Sequence, residues 1–414
     1  MKVTVSASQL SGEAKAPPSK SVMQRAVAAA VLSKSPTKIL NPSYCDDGLA
    51  SLKMAGQLGA RVEKTEGSCS IFPGENKVET TLSCGESGLG SRLFTCLASL
   101  QNFKITVDGT GSLRKRPFTD FEKILPQLGV ELQTTDGHLP ISVTGPAKPG
   151  VIEVDASSSS QFLSGLLMIL PTLDGDSEVQ VKNLKSRPYI DMTLDVMKHF
   201  GVKIENLNYE IFKVKGNQAY RASEIEIDGD WSGAAFLFVA AAVTKSKLEI
   251  NSLQPDSSQG DSRIVDVLRE MGAEVTHKNA SWTVTASELS SFEFDATDCP
   301  DLFPPLAVLA VFGNGPSKIN GVHRLKNKES NRGNVLMEML SKAGIGSEIE
   351  NDELTIFPGK PKRCTLDSHN DHRIAMAATI LGMAGAGVEI DNAEAVRKSW
   401  PGFFEGLEAA RINF

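Results

Sequence analysis

The residues able to do chemistry lie in a few short basic stretches. In Pro17-Pro18-Ser19-Lys20-Ser21-x-x-Gln24-Arg25, an ammonium, a hydroxyl and a guanidinium are close neighbours. Ser21 and Gln24 fit a capping box, which starts a helix there. Lys20 then sits just outside the helix, and Arg25 lies one turn after Ser21 on the same face. Such a trio would converge on one anion at a helix N-terminus. The glycines of a P-loop are missing, so nucleotide binding of that kind is not expected. Asp108-Gly109-Thr110-Gly111-Ser112-Leu113-Arg114-Lys115-Arg116-Pro117 is a second basic turn, either solvated or anion-binding. Ser157-Ser158-Ser159-Ser160-Gln161-Phe162 is either a flexible loop or a phosphate cradle opening an apolar helix.

Arg324-Leu325-Lys326-Asn327-Lys328-Glu329-Ser330-Asn331-Arg332 is the densest stretch. If helical, it puts Lys328 and Arg332 on one face, with a solvated charged helix as the alternative. Glu329 among these cations stays ionised unless buried. His369-Asn370-Asp371-His372-Arg373 and Arg397-Lys398-Ser399-Trp400-Pro401 complete the set. His369 and His372 have no third ligand at suitable spacing, so zinc is not expected.

The elements that must position these residues repeat. Gly59, Gly129, Gly201, Gly272 and Gly344 recur 70, 72, 71 and 72 residues apart. An amphipathic run precedes each and an alternating segment follows, which reads as helix, glycine C′ cap and strand. Phe403 to Ala410, with Gly406, would be a sixth, truncated copy. Between these lie apolar, small-residue helices that open after Ser21, Ser87, Ser160, Ser232, Asp301 and Asp371. Ser and Asp are good N-caps, and helices apolar nearly all round are buried. Each repeat of ~70 residues therefore reads as a βαβαββ-like unit, three to a domain. Pro17-Pro18 and Ile227-Asp228-Gly229-Asp230 look like crossings between domains. The expected domains are 17–227, and 1–16 plus 228–414.

Composition narrows the class. The 414 residues are 41% hydrophobic and 22% charged, ordinary for a globular chain. The longest apolar run, Ala234 to Val243, is about half a membrane span. The N-terminus alternates like a strand and has no apolar signal core, so a cytoplasmic protein is expected. Six cysteines with no CxxC pair point to reduced thiols. A net charge of −7 argues against broad nucleic-acid or anionic-membrane binding.

Taken in order, Lys20-Ser21-x-x-x-Arg25, Ser159-Ser160-Gln161-Phe162, Ser186-Arg187-Pro188-Tyr189-Ile190-Asp191, Lys328-Glu329-Ser330-x-Arg332, Asn370-Asp371-His372-Arg373 and Lys398-Ser399-Trp400-Pro401 resemble 5-enolpyruvylshikimate-3-phosphate synthases. The resemblance runs from about residue 14 to residue 405. It implies an α/β two-domain inverse barrel, three repeats per domain, with the active site in the interdomain cleft. It also implies transfer of the enolpyruvyl group of phosphoenolpyruvate to the 5-hydroxyl of shikimate 3-phosphate, with no cofactor, no metal and a monomeric enzyme. Ser159, Ser160, Ser186 and Arg25 would bind the phosphate of shikimate 3-phosphate. Ser21, Gln161, Asp301 and Lys328 would hold its ring and hydroxyls. Lys20, Gly88, Arg116, Arg332, Arg373 and Lys398 would face phosphoenolpyruvate. Asp301, Glu329 and Lys20 are the candidate proton carriers.

Departures from the family pattern are local. Gly85-Glu86-Ser87-Gly88-Leu89 stands where Gly-Asn-Ala-Gly-Thr is common, so Glu86 adds negative charge near the phosphoenolpyruvate residues. Asn331 and Gln24 replace a usual Asp and Asn. Ser112 aligns with an arginine of many members, while Ser112-Leu113-Arg114-Lys115-Arg116-Pro117 matches a branch with Ser-Leu-x-x-Arg-Pro. The sister transferase acting on UDP-N-acetylglucosamine usually has a cysteine in this loop, and none is present here. A non-catalytic anion-binding protein on the same scaffold is the other alternative, against which the retention of both Asp301 and Glu329 speaks.

Overall fold

The computed structural model describes residues 1–74, 79–285 and 288–412. The chain divides into two compact units, Pro18–Ile227 and Met1–Pro17 with Asp228–Phe414. Each has its own apolar core.

Strand–helix–strand–helix–hairpin units build both. In one, Thr80–Ser83 leads into helix Gly88–Ala98 and strand Ile105–Asp108, then the hairpin Glu131–Thr135 and His138–Thr144. Thr80–Ser83 pairs parallel with Ile105–Asp108, and the hairpin adds antiparallel. The same order recurs in the sheet of Val151–Asp155, Ser177–Lys182, Ile211–Val214 and Ile204–Leu207, and in that of Glu293–Asp295, Ser317–Asn320, Glu353–Ile356 and Ser347–Glu350. Two leading strands change sides. Gln9–Lys15 precedes the first repeat but pairs parallel with Lys247–Asn251. Glu224–Glu226 precedes the fourth but pairs parallel with Thr37–Leu40.

Helices Lys20–Leu32, Gly88–Ala98 and Ser160–Ile169 are largely buried in one unit. Trp231–Val243, Phe303–Val311 and His372–Ala384 are buried in the other, where they pack pairwise. Burying one such Leu, Val or Phe side chain stabilises by roughly 1.5–3 kcal/mol. Gly59, Gly129, Gly201, Gly272 and Gly344 all take positive φ, as C′ caps require. Gly406 does not cap. It lies inside helix Phe403–Ala409.

The helix starts differ from the sequence expectation. Ser87 and Asp371 are the caps. Elsewhere Ser19, Ser159 and Asp230 cap in place of Ser21, Ser160 and Ser232. In each case two candidate cap residues lie one or two positions apart, and the earlier one has the extended backbone a cap needs. Asp301 caps nothing. It sits in the 3-10 turn Pro300–Leu302, ahead of Phe303–Val311. A capping oxygen accepts from the second or third helical N–H, and here those residues are Pro304 and Pro305, which have none.

All six cysteines are free thiols. Burial pushes Cys45 and Cys69 up to about 11 and Cys84 to about 12, so these thiols stay protonated and inert. Among the described residues no helix is long and apolar enough to cross a membrane.

Candidate active site

In the unit Pro18–Ile227, the capping box read at Ser21 and Gln24 does not form. Ser19 Oγ accepts from Val22 N, and Gln24 Oε1 instead accepts from Ser87 Oγ at 2.7 Å. Lys20 is the first helical residue, and its ammonium meets Asp47 Oδ2 at 3.1 Å. Arg25 is fully buried. Its Nε donates to Thr193 Oγ1 at 2.8 Å, Nη1 to Ser21 O at 2.9 Å and Nη2 to Tyr189 O at 2.9 Å. Thr193 Oγ1 in turn donates to Ser164 Oγ at 3.0 Å. Arg25 thus ties the early turns of helices Lys20–Leu32, Ser160–Ile169 and Arg187–His199 together. Burial lowers its guanidinium to about 10. Lys20 and Arg25 thus each hold a partner within the unit, Asp47 for one and Thr193, Ser21 and Tyr189 for the other.

Within the serine run, Ser157 N donates to Asp155 Oδ1 and Ser158 Oγ bonds Asp120. Ser159 caps the helix by accepting from Gln161 N at 3.2 Å, and Ser160 is buried as its first residue. Ser186 precedes Arg187–His199 in the left-handed region, at φ 58° and ψ 46°. A non-glycine residue there carries strain of order 1–3 kcal/mol, a pattern common at ligand sites.

The basic loop folds as a 3-10 turn, Gly111–Lys115. Arg114 reaches back to Asp108 Oδ2 at 2.5 Å and to Gly109 O at 2.8 Å, while Lys115 is exposed. Arg116 is buried against Gly88, where any Cβ would collide with its Nη1. Arg92 Nη1 donates to Gly88 O at 2.9 Å and Nη2 to Pro117 O at 3.1 Å. Its guanidinium also lies over the Phe118 and Phe162 rings.

In the other unit, Lys328 is not helical. Asn331 caps helix Arg332–Lys342, because its side chain accepts from Asn334 N and closes the first turn there. Lys328 and Arg332 still meet on Asp301, and Glu329 bonds Arg332. Arg332 is almost fully buried and donates Nη1 to Asp301 Oδ1 at 2.7 Å, Nη2 to Glu329 Oε2 at 2.5 Å and Nε to Asp371 Oδ2 at 2.8 Å. Arg373 Nη2 reaches Asp301 Oδ2 at 2.9 Å, and Lys328 Nζ reaches Asp301 Oδ1 at 3.4 Å. Lys398 Nζ donates to Asn370 O at 2.7 Å.

Burial disfavours the Asp301 carboxylate, but Arg373, Lys328 and Arg332 outweigh it and hold the group well below the usual range. Desolvation lowers Lys328, with Asp301 opposing the shift. Behind Arg373 lies Asp261, bonded to Ser232 Oγ. Burial and the Asp301 charge push Asp261 up to about 7.

Gln24, Asp47, Arg92, Asp261 and Asp371 were not picked out as site residues from sequence. The only signal was proximity to a motif: Gln24 and Asp371 lie inside motifs that were read for their neighbours. Among the described residues no group of three or more His, Cys, Asp or Glu is placed to hold a metal ion.

Arg332 and Arg373 are thus buried in the first turns of their helices and held by carboxylates, Arg332 by Asp301, Glu329 and Asp371 and Arg373 by Asp301. A family model for EPSP synthase (3-phosphoshikimate 1-carboxyvinyltransferase) matches residues 5–407. The chain is 37% identical to a 3-phosphoshikimate 1-carboxyvinyltransferase of Methanococcoides burtonii, covering 99% of this chain and 98% of that protein. It is 38% identical to one of Archaeoglobus fulgidus, over the same shares. The fold matches the EPSP synthase of Acinetobacter baumannii with TM-score 0.84 and 25% identity, over 99% of this chain and 98% of that one. The chain belongs to the EPSP synthase family.

Proposed function

We propose that this enzyme transfers the enolpyruvyl group of phosphoenolpyruvate to the 5-hydroxyl of shikimate 3-phosphate, releasing phosphate, on the route to aromatic amino acids. The family match over residues 5–407 carries the reading.

The reaction is an addition followed by an elimination. A proton goes to the methylene carbon of phosphoenolpyruvate while the 5-oxygen bonds to the central carbon and gives up its own proton. The tetrahedral phosphoketal then loses a methyl proton and expels phosphate, which restores the carbon–carbon double bond.

Ser159, Ser160, Ser186 and Arg25 are assigned to the phosphate of shikimate 3-phosphate. With Arg25 tied into three helices, its remaining N–H groups would face the anion. Ser21, Gln161, Asp301 and Lys328 are assigned to the ring hydroxyls. Lys20, Gly88, Arg116, Arg332, Arg373 and Lys398 are assigned to phosphoenolpyruvate. Glu329, bonded to Arg332, is the candidate acid for the methylene carbon once it has taken up a proton. Asp301 is the candidate base, with Lys20 able to share either role. While Arg373, Lys328 and Arg332 hold Asp301 it is a weak base, so these contacts must loosen before it can accept a proton. Pre-set cations around the ketal are the main source of rate enhancement. A monomer in the cytoplasm is the accompanying proposal.

Phosphate release that requires both substrates together tests the function. Release with either one absent, or none with both, overturns it.

A further inference from the structure

We propose that Glu86 is a positioning residue that latches the loop presenting Arg116, an inference that rests on the assignment of Arg116 to phosphoenolpyruvate. Glu86 adds negative charge near the residues assigned to phosphoenolpyruvate. The geometry gives the carboxylate a different task. Glu86 Oε2 accepts from both Ser112 N and Ser112 Oγ, each at 2.9 Å. Gly111, beside Ser112, takes φ 56°, and a Cβ there would stand 2.5 Å from Glu86 Cδ. The loop is shaped to receive the carboxylate.

The latch is the last of consecutive ties. Cys84 N donates to Asp108 O at 2.8 Å, Thr110 N to Gly85 O at 2.7 Å, and Ser112 then bonds Glu86. Glu86 is itself fixed, since the next residue, Ser87, caps helix Gly88–Ala98. On the far side of the 3-10 turn, Arg116 N donates to Leu113 O at 3.1 Å, and Arg92 joins Gly88 O to Pro117 O. Arg116 is therefore held against Gly88 from both ends, by Glu86 through Ser112 and by Arg92 through Pro117. Two charge-assisted bonds on one oxygen give the loop an anchor stronger than a neutral acceptor would. Ser112 donates twice to that oxygen, once from its backbone N–H and once from its hydroxyl.

Three full-length variants test this: Glu86→Ala, Glu86→Gln and Ser112→Ala. Native-state trypsin reports on the loop without any substrate, through cleavage after the exposed Arg114 and Lys115. The Michaelis constants for the two substrates report on function. Glu86→Ala should be cut about 10-fold faster and raise KM for phosphoenolpyruvate about 10-fold, with little change for shikimate 3-phosphate. Glu86→Gln keeps an acceptor oxygen and should recover most of both losses. Ser112→Ala keeps the backbone bond and should fall between; it carries the comparison if Glu86→Ala fails to fold. Cleavage of Glu86→Ala at the parental rate overturns the latch. Faster cleavage with both constants unchanged overturns its service to phosphoenolpyruvate, while phosphate release dependent on both substrates leaves the transferase reading standing.

Discussion

Arg332 and Asp371 hold each other at two points, Nε to Oδ2 at 2.8 Å and Nη2 to Oδ1 at 3.2 Å, with both side chains buried. Asp371 also accepts from Ser330 Oγ and from Arg373 N. One carboxylate thus sets the plane of Arg332 and starts the helix that carries Arg373. Asp371→Ala would take one of three carboxylates from a buried guanidinium, leaving Nε without its acceptor, and should cost about 1.5–3 kcal/mol of unfolding free energy. Urea titration measures it. A loss below about 1 kcal/mol would show that Arg332 finds its place without Asp371.

Asp301 and Glu329 share Arg332 but are assigned opposite proton tasks. Asp301→Ala and Glu329→Gln should each lower kcat about 10²–10⁴-fold. Binding of shikimate 3-phosphate, followed by calorimetry, should weaken far less. Equal losses in turnover and binding would remove both from proton transfer.

Arg116 and Arg114 are separated by what they already touch. Arg114 is spent on Asp108 and Gly109, while Arg116 lies buried at Gly88. Arg116→Ala should raise KM for phosphoenolpyruvate strongly, at roughly 1.5–3 kcal/mol per charge-assisted bond lost. Arg116→Lys should not restore it, since an ammonium lacks the planar fork. If Arg114→Ala produces the effect instead, the loop cation has been misassigned.

Asp261 links stability to pH. Its folded value, about 7, lies above the ordinary carboxylate value of ~4, so the folded protein keeps a proton that the unfolded chain releases. Its contribution is present below pH ~4 and is lost as pH rises to ~7. The unfolding free energy of the parent minus that of Asp261→Asn should therefore decline across this window, by at most ~4 kcal/mol. Urea unfolding at several pH values measures the slope, and a flat difference rejects it.

The repeat was legible because glycine at C′ is a backbone requirement that survives any change of neighbours, as the positive φ at Gly59 through Gly344 shows. Cap identity was not. Ser19 and Ser21 obey the same residue-type rule, and only the backbone turn chooses between them. Charge density at 324–332 was visible, but its helical reading failed because Asn331 starts the helix just before Arg332. Partnerships such as Gln24 with Ser87, 63 positions apart, leave no local periodicity to read.

The exchanged leading strands impose an order on synthesis. Gly12 pairs with Leu248, so the strand Gln9–Lys15 must wait for some 230 further residues before its neighbour exists. At ribosomal rates of ~5–20 residues per second, that is roughly 10–50 s with an unpaired strand edge. Glu224–Glu226, by contrast, reaches Thr37–Leu40 as soon as it emerges, since every other strand of Pro18–Ile227 has already been made. One unit can therefore close on the ribosome while the other still awaits its C-terminal half. Until then the polar Ser11, Glu13 and Lys15 of Gln9–Lys15 discourage pairing with a stranger.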